Sequence, residues 1–221
     1  MKIDYKWTVS RQGYKPIFLS FLICWLGTAF FGLSILSILF LITFLLIIHF
    51  FRDPDRIIPN TEGIISPADG KIISVDTVEE TEFLKCKMKR ICIFLSIFDC
   101  HIARCPISSE IIETRHYPGK FKFANSDECI ENERLNIHLK TKDENDVVLI
   151  LFAGFIARRI VPFVSKGDYL NLGDRLGIIK FGSRIDIYVP SDYATKFQAG
   201  DEVVAGETVI YNKVDLKLSE G

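Results

Sequence analysis

The pattern of apolar and polar positions divides the chain sharply at Arg52. From Ile17 to Phe51 the sequence is almost uninterruptedly apolar and carries no formal charge. Those 35 residues would measure about 52 Å as one helix, at about 1.5 Å per residue. A bilayer core of roughly 30 Å needs only about 20 residues, so a single straight span is too long. The stretch Gly27 to Gly32, reading GTAFFG, offers a place to bend, because glycine relaxes helix geometry. The pattern predicts a helical hairpin or two short spans over 17–51. A cleaved signal peptide fits less well, since the region is too long and no small-residue cleavage site follows it.

Beyond Arg52 the period changes at once. Residues 52–60, RDPDRIIPN, form a proline-broken linker that cannot continue a helix. Short β-branched runs follow, separated by turn signals: Gly63 to Pro67, Lys71 to Val78, Arg90 to Ile97, Asp146 to Ile156, Gly177 to Phe181 and Ile185 to Val189. Asp69-Gly70 stands between two such runs as a tight-turn signal. Past residue 60 no segment sustains helical periodicity beyond about two turns. The expectation is a mainly β soluble domain of barrel or sandwich type behind an α-helical membrane segment. The Gly-Asp turns at 167–168 and 200–201 resemble the hairpins of lipoyl and biotinyl carrier domains, although such turns suit any β-sandwich. Lys87-Met88-Lys89 has a superficial likeness to a biotinyl-lysine site, but an exposed hairpin of mixed charge explains it. The expected organisation is a basic tail over 1–16, the membrane segment over 17–51, the linker over 52–60, a catalytic domain over 61–212 and a tail over 213–221.

Charge and cysteine content then narrow the field. A formal net charge of -1 gives no electrostatic support for a nucleic-acid partner. The six cysteines follow no CxxC or His-paired metal spacing, so no metal site is expected, and reduced thiols in a cytosol-facing domain fit better than a disulfide framework. Lys2, Lys6, Arg11 and Lys15 precede the apolar segment, and Arg52 and Arg56 follow it. Basic residues on both flanks favour keeping both ends on the cytoplasmic side.

Candidate chemistry lies in three separate places. They are Ser66-Pro67-Ala68-Asp69-Gly70, then Phe98-Asp99-Cys100-His101-Ile102-Ala103-Arg104-Cys105-Pro106, then Phe181-Gly182-Ser183-Arg184. In this order behind an apolar amino terminus, they resemble the short form of the phosphatidylserine decarboxylase family. Phe51-Arg52-Asp53-Pro54 is similar to that family's entry to its soluble domain, and the resemblance runs from about Phe50 to Tyr211. It implies decarboxylation of phosphatidylserine to phosphatidylethanolamine at the cell's inner membrane, with the domain facing the cytoplasm.

The reaction explains the residue types. Decarboxylating an amino acid leaves a carbanion that needs an electron sink. No glycine-rich loop for the phosphate of pyridoxal phosphate is apparent. A pyruvoyl group is the alternative, its ketone condensing with the substrate amine as a Schiff base. The resemblance places its source at Gly182-Ser183. The Ser183 hydroxyl would attack the Gly182 carbonyl and convert the amide to an ester. β-Elimination would then leave dehydroalanine at 183, and hydrolysis would yield the pyruvoyl group and ammonia. The products, 1–182 and 183–221, would remain together as a heterodimer, and pairing of two such units is a further possibility.

His101 and Asp69 are the candidate helpers, an imidazole to accept the serine proton and a carboxylate to orient it. Long-form relatives carry Asp-Tyr-His-x-x-His; here only His101 is present, and Arg104 stands at the second histidine. Arg104 could hold a substrate carboxylate or phosphate, or form a structural ion pair. Asp69 could instead simply make the Asp-Gly turn, and His101 could be a core histidine. His116 and His138 read as surface or strand residues. Arg52 and Arg56 could favour anionic lipid, at about 1 kcal/mol each.

Two rivals explain less. A membrane-anchored adaptor with a lipoyl-like domain accounts for the Gly-Asp hairpins but not for Phe-Gly-Ser-Arg or Asp-x-His, and no heptad pattern is present. A metal-dependent peptidoglycan hydrolase would draw on His101, His116, His138 and Asp69, none of which shows ligand spacing.

Overall fold

A computed structural model describes residues 7–119, 132–154, 159–180 and 183–214. The chain divides into two compact units, residues 1–55 and 56–221.

In the first unit, strand β1 (Trp7–Val9) leads through a short turn into helix α1 (Tyr14–Phe31). Helix α2 (Ile35–Phe50) follows, then strand β2 (Arg52–Pro54). The break falls at Gly32, whose φ of 60° only glycine adopts readily, and Ser34 caps α2 by accepting from the Ser37 N–H. The helices pack against each other where Gly27 leaves room for Phe40 and where the Phe21 and Phe44 rings lie 5.8 Å apart. The helix counted from Arg11 to Phe31 is long and apolar enough to cross a membrane, and α2 is a shorter apolar helix. The tail and the linker are more ordered than their composition suggests. β1 and β2 pair antiparallel, Thr8 opposite Asp53, because the hairpin returns the chain to where it began. The helix also starts at Tyr14, three positions before the apolar run.

The second unit is built of strands, as the short β-branched runs predict. Its main sheet holds eight antiparallel strands and curls into a half-barrel. Across it run β11 (Tyr169–Leu170), β7 (Ser109–Tyr117), β8 (Arg134–Thr141), β9 (Asp146–Ala153), β13 (Ser183–Val189), β5 (Cys86–Leu95), β4 (Gly70–Glu80) and β15 (Glu202–Val203). Two three-stranded sheets complete it. One runs β10 (Ile160–Pro162), β12 (Arg175–Ile179), β6 (Ile102–Arg104); the other runs β14 (Tyr193–Ala194), β16 (Val209–Lys213), β3 (Ile64–Ile65).

Alternation along the central strands gives the main sheet two buried faces. Ile185, Ile187 and Val189 of β13 join Ile91, Ile93, Leu149 and Leu151 in the principal core. Tyr188 instead joins Met88, Val148, Ile150 and Phe152 in a second cluster, roofed by Phe83 and Leu84. Lys87-Met88-Lys89 lies within β5 of the β4–β5 hairpin, with Lys87 exposed and Met88 drawn in against the apolar second face. His116 and His138 are strand residues paired with Glu133 and Asp146. Cys24, Cys86, Cys92, Cys100 and Cys105 are free thiols, and Cys129 lies outside the described residues.

One turn design recurs. In Ser165–Asp168, Asn171–Asp174 and Gln198–Asp201 the aspartate carboxylate accepts from the first residue's N–H, and the aspartate N–H returns to the first residue's carbonyl. Glycine at the third position has positive φ in all three, as a type II turn requires. Ser96–Asp99 makes the same two bonds, but with Ile97 and Phe98 between them.

Candidate active site

Ser183 is the first residue of β13, the central strand with partners on both sides. It pairs with Leu95 of β5 and with Ala153 of β9. Its side chain shares the face of Ile185 and Ile187, is fully buried, and its Oγ meets no hydrogen-bond partner among the described residues. Sealing a hydroxyl from water without a partner costs about 1–3 kcal/mol, and groups left in that condition call for an explanation. Gly182 lies outside the described residues, so the proposed cleavage bond is described on its serine side alone.

The opposite face of β13 braces that position. Arg184 donates from Nε and Nη2 to both carboxylate oxygens of Asp186, at 2.6 and 2.7 Å. It also donates to Cys92 Sγ of β5 at 3.2 Å and lies over the Phe152 ring of β9. Burial pushes the Cys92 thiol up to about 12, so it meets Arg184 as a neutral group. The spacing Ser-Arg-x-Asp was visible in the sequence, because residues two apart on a strand share a face.

His101 is reached from both chain segments that flank Ser183. Leu95, opposite the serine, leads through the Ser96–Asp99 turn to His101. The His101 carbonyl accepts from the N–H of Ile179, four residues before Ser183. The imidazole is buried, and its Nδ1 is 2.9 Å from the Asp99 carbonyl oxygen. A carbonyl only accepts, so Nδ1 carries the proton of the neutral ring and Nε2 the basic lone pair.

Asp69 holds several segments together. Its Oδ2 accepts from Arg56 Nη2 at 2.7 Å and from the Cys100 N–H at 3.3 Å, and its Oδ1 accepts from the Ala205 N–H at 2.8 Å. The carboxylate thus holds Cys100, the residue before His101, while the imidazole Nδ1 meets the Asp99 carbonyl. The adjacent Gly70 is tight against β5: a Cβ there would lie 2.2 Å from the Phe94 carbonyl oxygen, at a φ of 144°.

Arg56 is the residue that sequence reasoning misplaced. It is not a juxtamembrane charge facing lipid; its side chain is largely buried against Asp69, because a cation withdrawn from water needs a counter-charge. Burial opposes its charge, but the attraction of Asp69 prevails and raises its pKa above the usual guanidinium value. No local motif announced this pairing across 13 positions.

Arg104 is buried as well, with Nη1 donating to the Gly173 carbonyl at 3.0 Å and its N–H bonded to the Pro67 carbonyl. A methyl group at Gly206 would lie 3.1 Å from Arg104 Cδ and 3.4 Å from Arg56 Cβ, so the two arginines flank the same turn. A cleft of about 420 Å³ opens beside Asp69, lined by Lys71, Phe94, Ser96, Asp99, Glu202 and Val204 among others.

A sealed strand-end serine, a buried histidine and a bridging aspartate thus lie on chain segments tied to one another by these ladders and hydrogen bonds. The sequence profile described as phosphatidylserine decarboxylase matches residues 44–211. The chain belongs to the phosphatidylserine decarboxylase family. A phosphatidylserine decarboxylase proenzyme of Desulfotalea psychrophila is 38% identical over 91% of this chain and 95% of its own length. Proteins of the same name from Geobacter sulfurreducens and Symbiobacterium thermophilum are 40% and 43% identical, over 85% and 75% of this chain and 83% and 78% of their own. The family match thus spans all three motif regions and the end of the second apolar helix.

Proposed function

We propose that this family member decarboxylates phosphatidylserine to phosphatidylethanolamine with a pyruvoyl group made from its own Ser183. The observation that carries the reading is the Ser183 hydroxyl, buried at the head of a doubly paired strand and without a hydrogen-bond partner among the described residues, in a chain whose relatives are named proenzymes. When formed, the pyruvoyl group supplies the carbonyl electron sink that an amino-acid decarboxylation needs.

The chain's own residues divide the remaining work. Pairing on both sides pins Ser183, so displacement during the acyl shift falls on the Gly182 side. His101, with its lone pair on Nε2, is the proton acceptor for the serine hydroxyl and the group that handles protons during turnover. Asp69, neutralised by Arg56, ties the Cys100 and Ala205 segments and so positions His101. Arg104 holds the wall at Gly173; this favours its structural role over the substrate-binding one.

After cleavage, residues 183–221 would carry β13, which pairs with β9 and β5 of the other fragment. Those ladders support a heterodimer that stays assembled. The pairing of β1 with β2 supports a hairpin whose two ends share one face of the membrane, and the basic flanks favour the cytoplasmic face of the inner membrane.

Denaturing electrophoresis with intact-mass measurement tests the reading. The expected result is two fragments meeting at 182/183, the smaller one blocked to Edman degradation, and a single uncleaved chain for Ser183→Ala. Full activity in an uncleaved wild-type chain would overturn it.

A further inference from the structure

The Ser96–Asp99 turn joins β5 to the His101 segment, and it is built like the three glycine turns described above. Its closure is complete without its two central side chains. The Ser96 N–H donates to Asp99 Oδ2 at 2.7 Å, the Asp99 N–H to the Ser96 carbonyl at 3.0 Å, and the Phe98 N–H to Ser96 Oγ at 3.3 Å. The other turns carry Lys-Gly, Leu-Gly and Ala-Gly at those positions. This one carries Ile97 and Phe98, 48% and 60% exposed. They are the two most exposed of the described large apolar side chains in the second unit, and they are adjacent. Turn geometry asks for neither side chain, and water opposes displaying both.

Their place in the fold suggests what they meet. Ser96 and Asp99 line the cleft beside Asp69, and Val204, 37% exposed, lines it from the opposite loop. The apolar tip therefore stands at the rim of the cleft, close in the chain to His101. Tethering a domain to a membrane segment limits how far it travels but does not aim its catalytic face. A substrate whose acyl chains stay in the bilayer needs that face aimed.

We propose that Ile97 and Phe98 form a wedge that enters the lipid interface and seats the cleft beside Asp69 on the head-group layer. The occupant is a phospholipid bilayer. The wedge works through apolar burial, since an aromatic and a branched aliphatic side chain at a rigid turn tip gain most by leaving water at the acyl boundary. The proposal deepens the functional reading above and rests on its bilayer-held substrate.

The test uses the full-length protein in nanodiscs, with Trp7→Phe and Trp25→Phe to remove background and Phe98→Trp as the probe. Brominated phosphatidylcholine should quench the emission of the introduced indole, and emission unaffected by the brominated lipid would overturn the proposal. In parallel, Ile97→Ser/Phe98→Ser should lose about 10-fold or more in kcat/KM on phosphatidylserine vesicles, as expected from lost apolar transfer. It should keep its rate on a short-chain, monodisperse phosphatidylserine, and an equal loss on both substrates would also overturn the proposal. If the decarboxylase reading itself fails, the wild type turns over neither substrate, whereas the quenching result still stands. Loss of a dimer in Ile97→Ser/Phe98→Ser, without lipid quenching of the Phe98→Trp probe, would assign the turn to self-association and sink the wedge.

Discussion

Arg56 Nη2 lies 2.7 Å from Asp69 Oδ2, and both side chains are largely withdrawn from water. The pair joins the start of the soluble domain to the loop that also grips Cys100 and Ala205. Its consequence is mechanical as well as electrostatic, because the His101 segment is held through the same carboxylate.

Removing one partner leaves the other buried and uncompensated. Arg56→Ala or Asp69→Ala should each destabilise by roughly 3 kcal/mol. The double variant should cost less than the sum of the two, since neither charge is then stranded. Thermal melts of the four proteins in the cycle check this, and simple additivity would contradict the coupling. Arg56→Lys should restore less than the full loss, because a single ammonium matches the carboxylate less well than a guanidinium.

His101 is expected to matter for its basic nitrogen rather than for its bulk. His101→Gln, of similar reach, should slow both the appearance of fragments and the turnover of processed enzyme by about 100-fold or more, in the range for lost acid–base catalysis. Following the two rates separately divides the roles. A variant that cleaves normally and fails only in turnover would confine the imidazole to decarboxylation.

The buried thiols predict a specific alkaline weakness. Burial holds Cys92 up to about 12 and Cys105 up to about 11, against an ordinary value of 9.0. A folded-state pKa above the unfolded one means that the native chain keeps protons the unfolded chain gives up. Their contribution is therefore intact below pH 9.0 and is lost as pH rises through about 11 and 12. The slope is at most about 1.4 kcal/mol per pH unit for each thiol. Melting temperatures from pH 8 to 10.5 should be flat at first and then fall, less steeply in Cys105→Ala. At pH 8 (below both shifted values), alkylation should reach the exposed Cys86 well before Cys92 or Cys105.

Much of the architecture was legible in local pattern. The loss of all charge between Ile17 and Phe51 announces an apolar helical segment, found as α1 and α2. Runs such as Arg90 to Ile97 announce strands through period and composition. The ordered motifs around Asp69, His101 and Ser183 carry the family, since each is a short contiguous stretch. Arg56 shows the limit: its position after the apolar segment suggested a lipid-facing cation, and nothing within a few residues pointed to Asp69.

What the sequence determined by itself is therefore what depends on near neighbours: the apolar helical segment, the strand periodicity, the Gly-Asp turns and the three family motifs. Only the tertiary structure decided which distant groups meet. It set Ser183 between Leu95 and Ala153, turned the basic nitrogen of His101 through the Asp99 carbonyl, and set Asp69 against Arg56. The physical reason is that strand periodicity specifies which face a side chain takes, whereas its neighbours come from pairing between segments far apart in the chain.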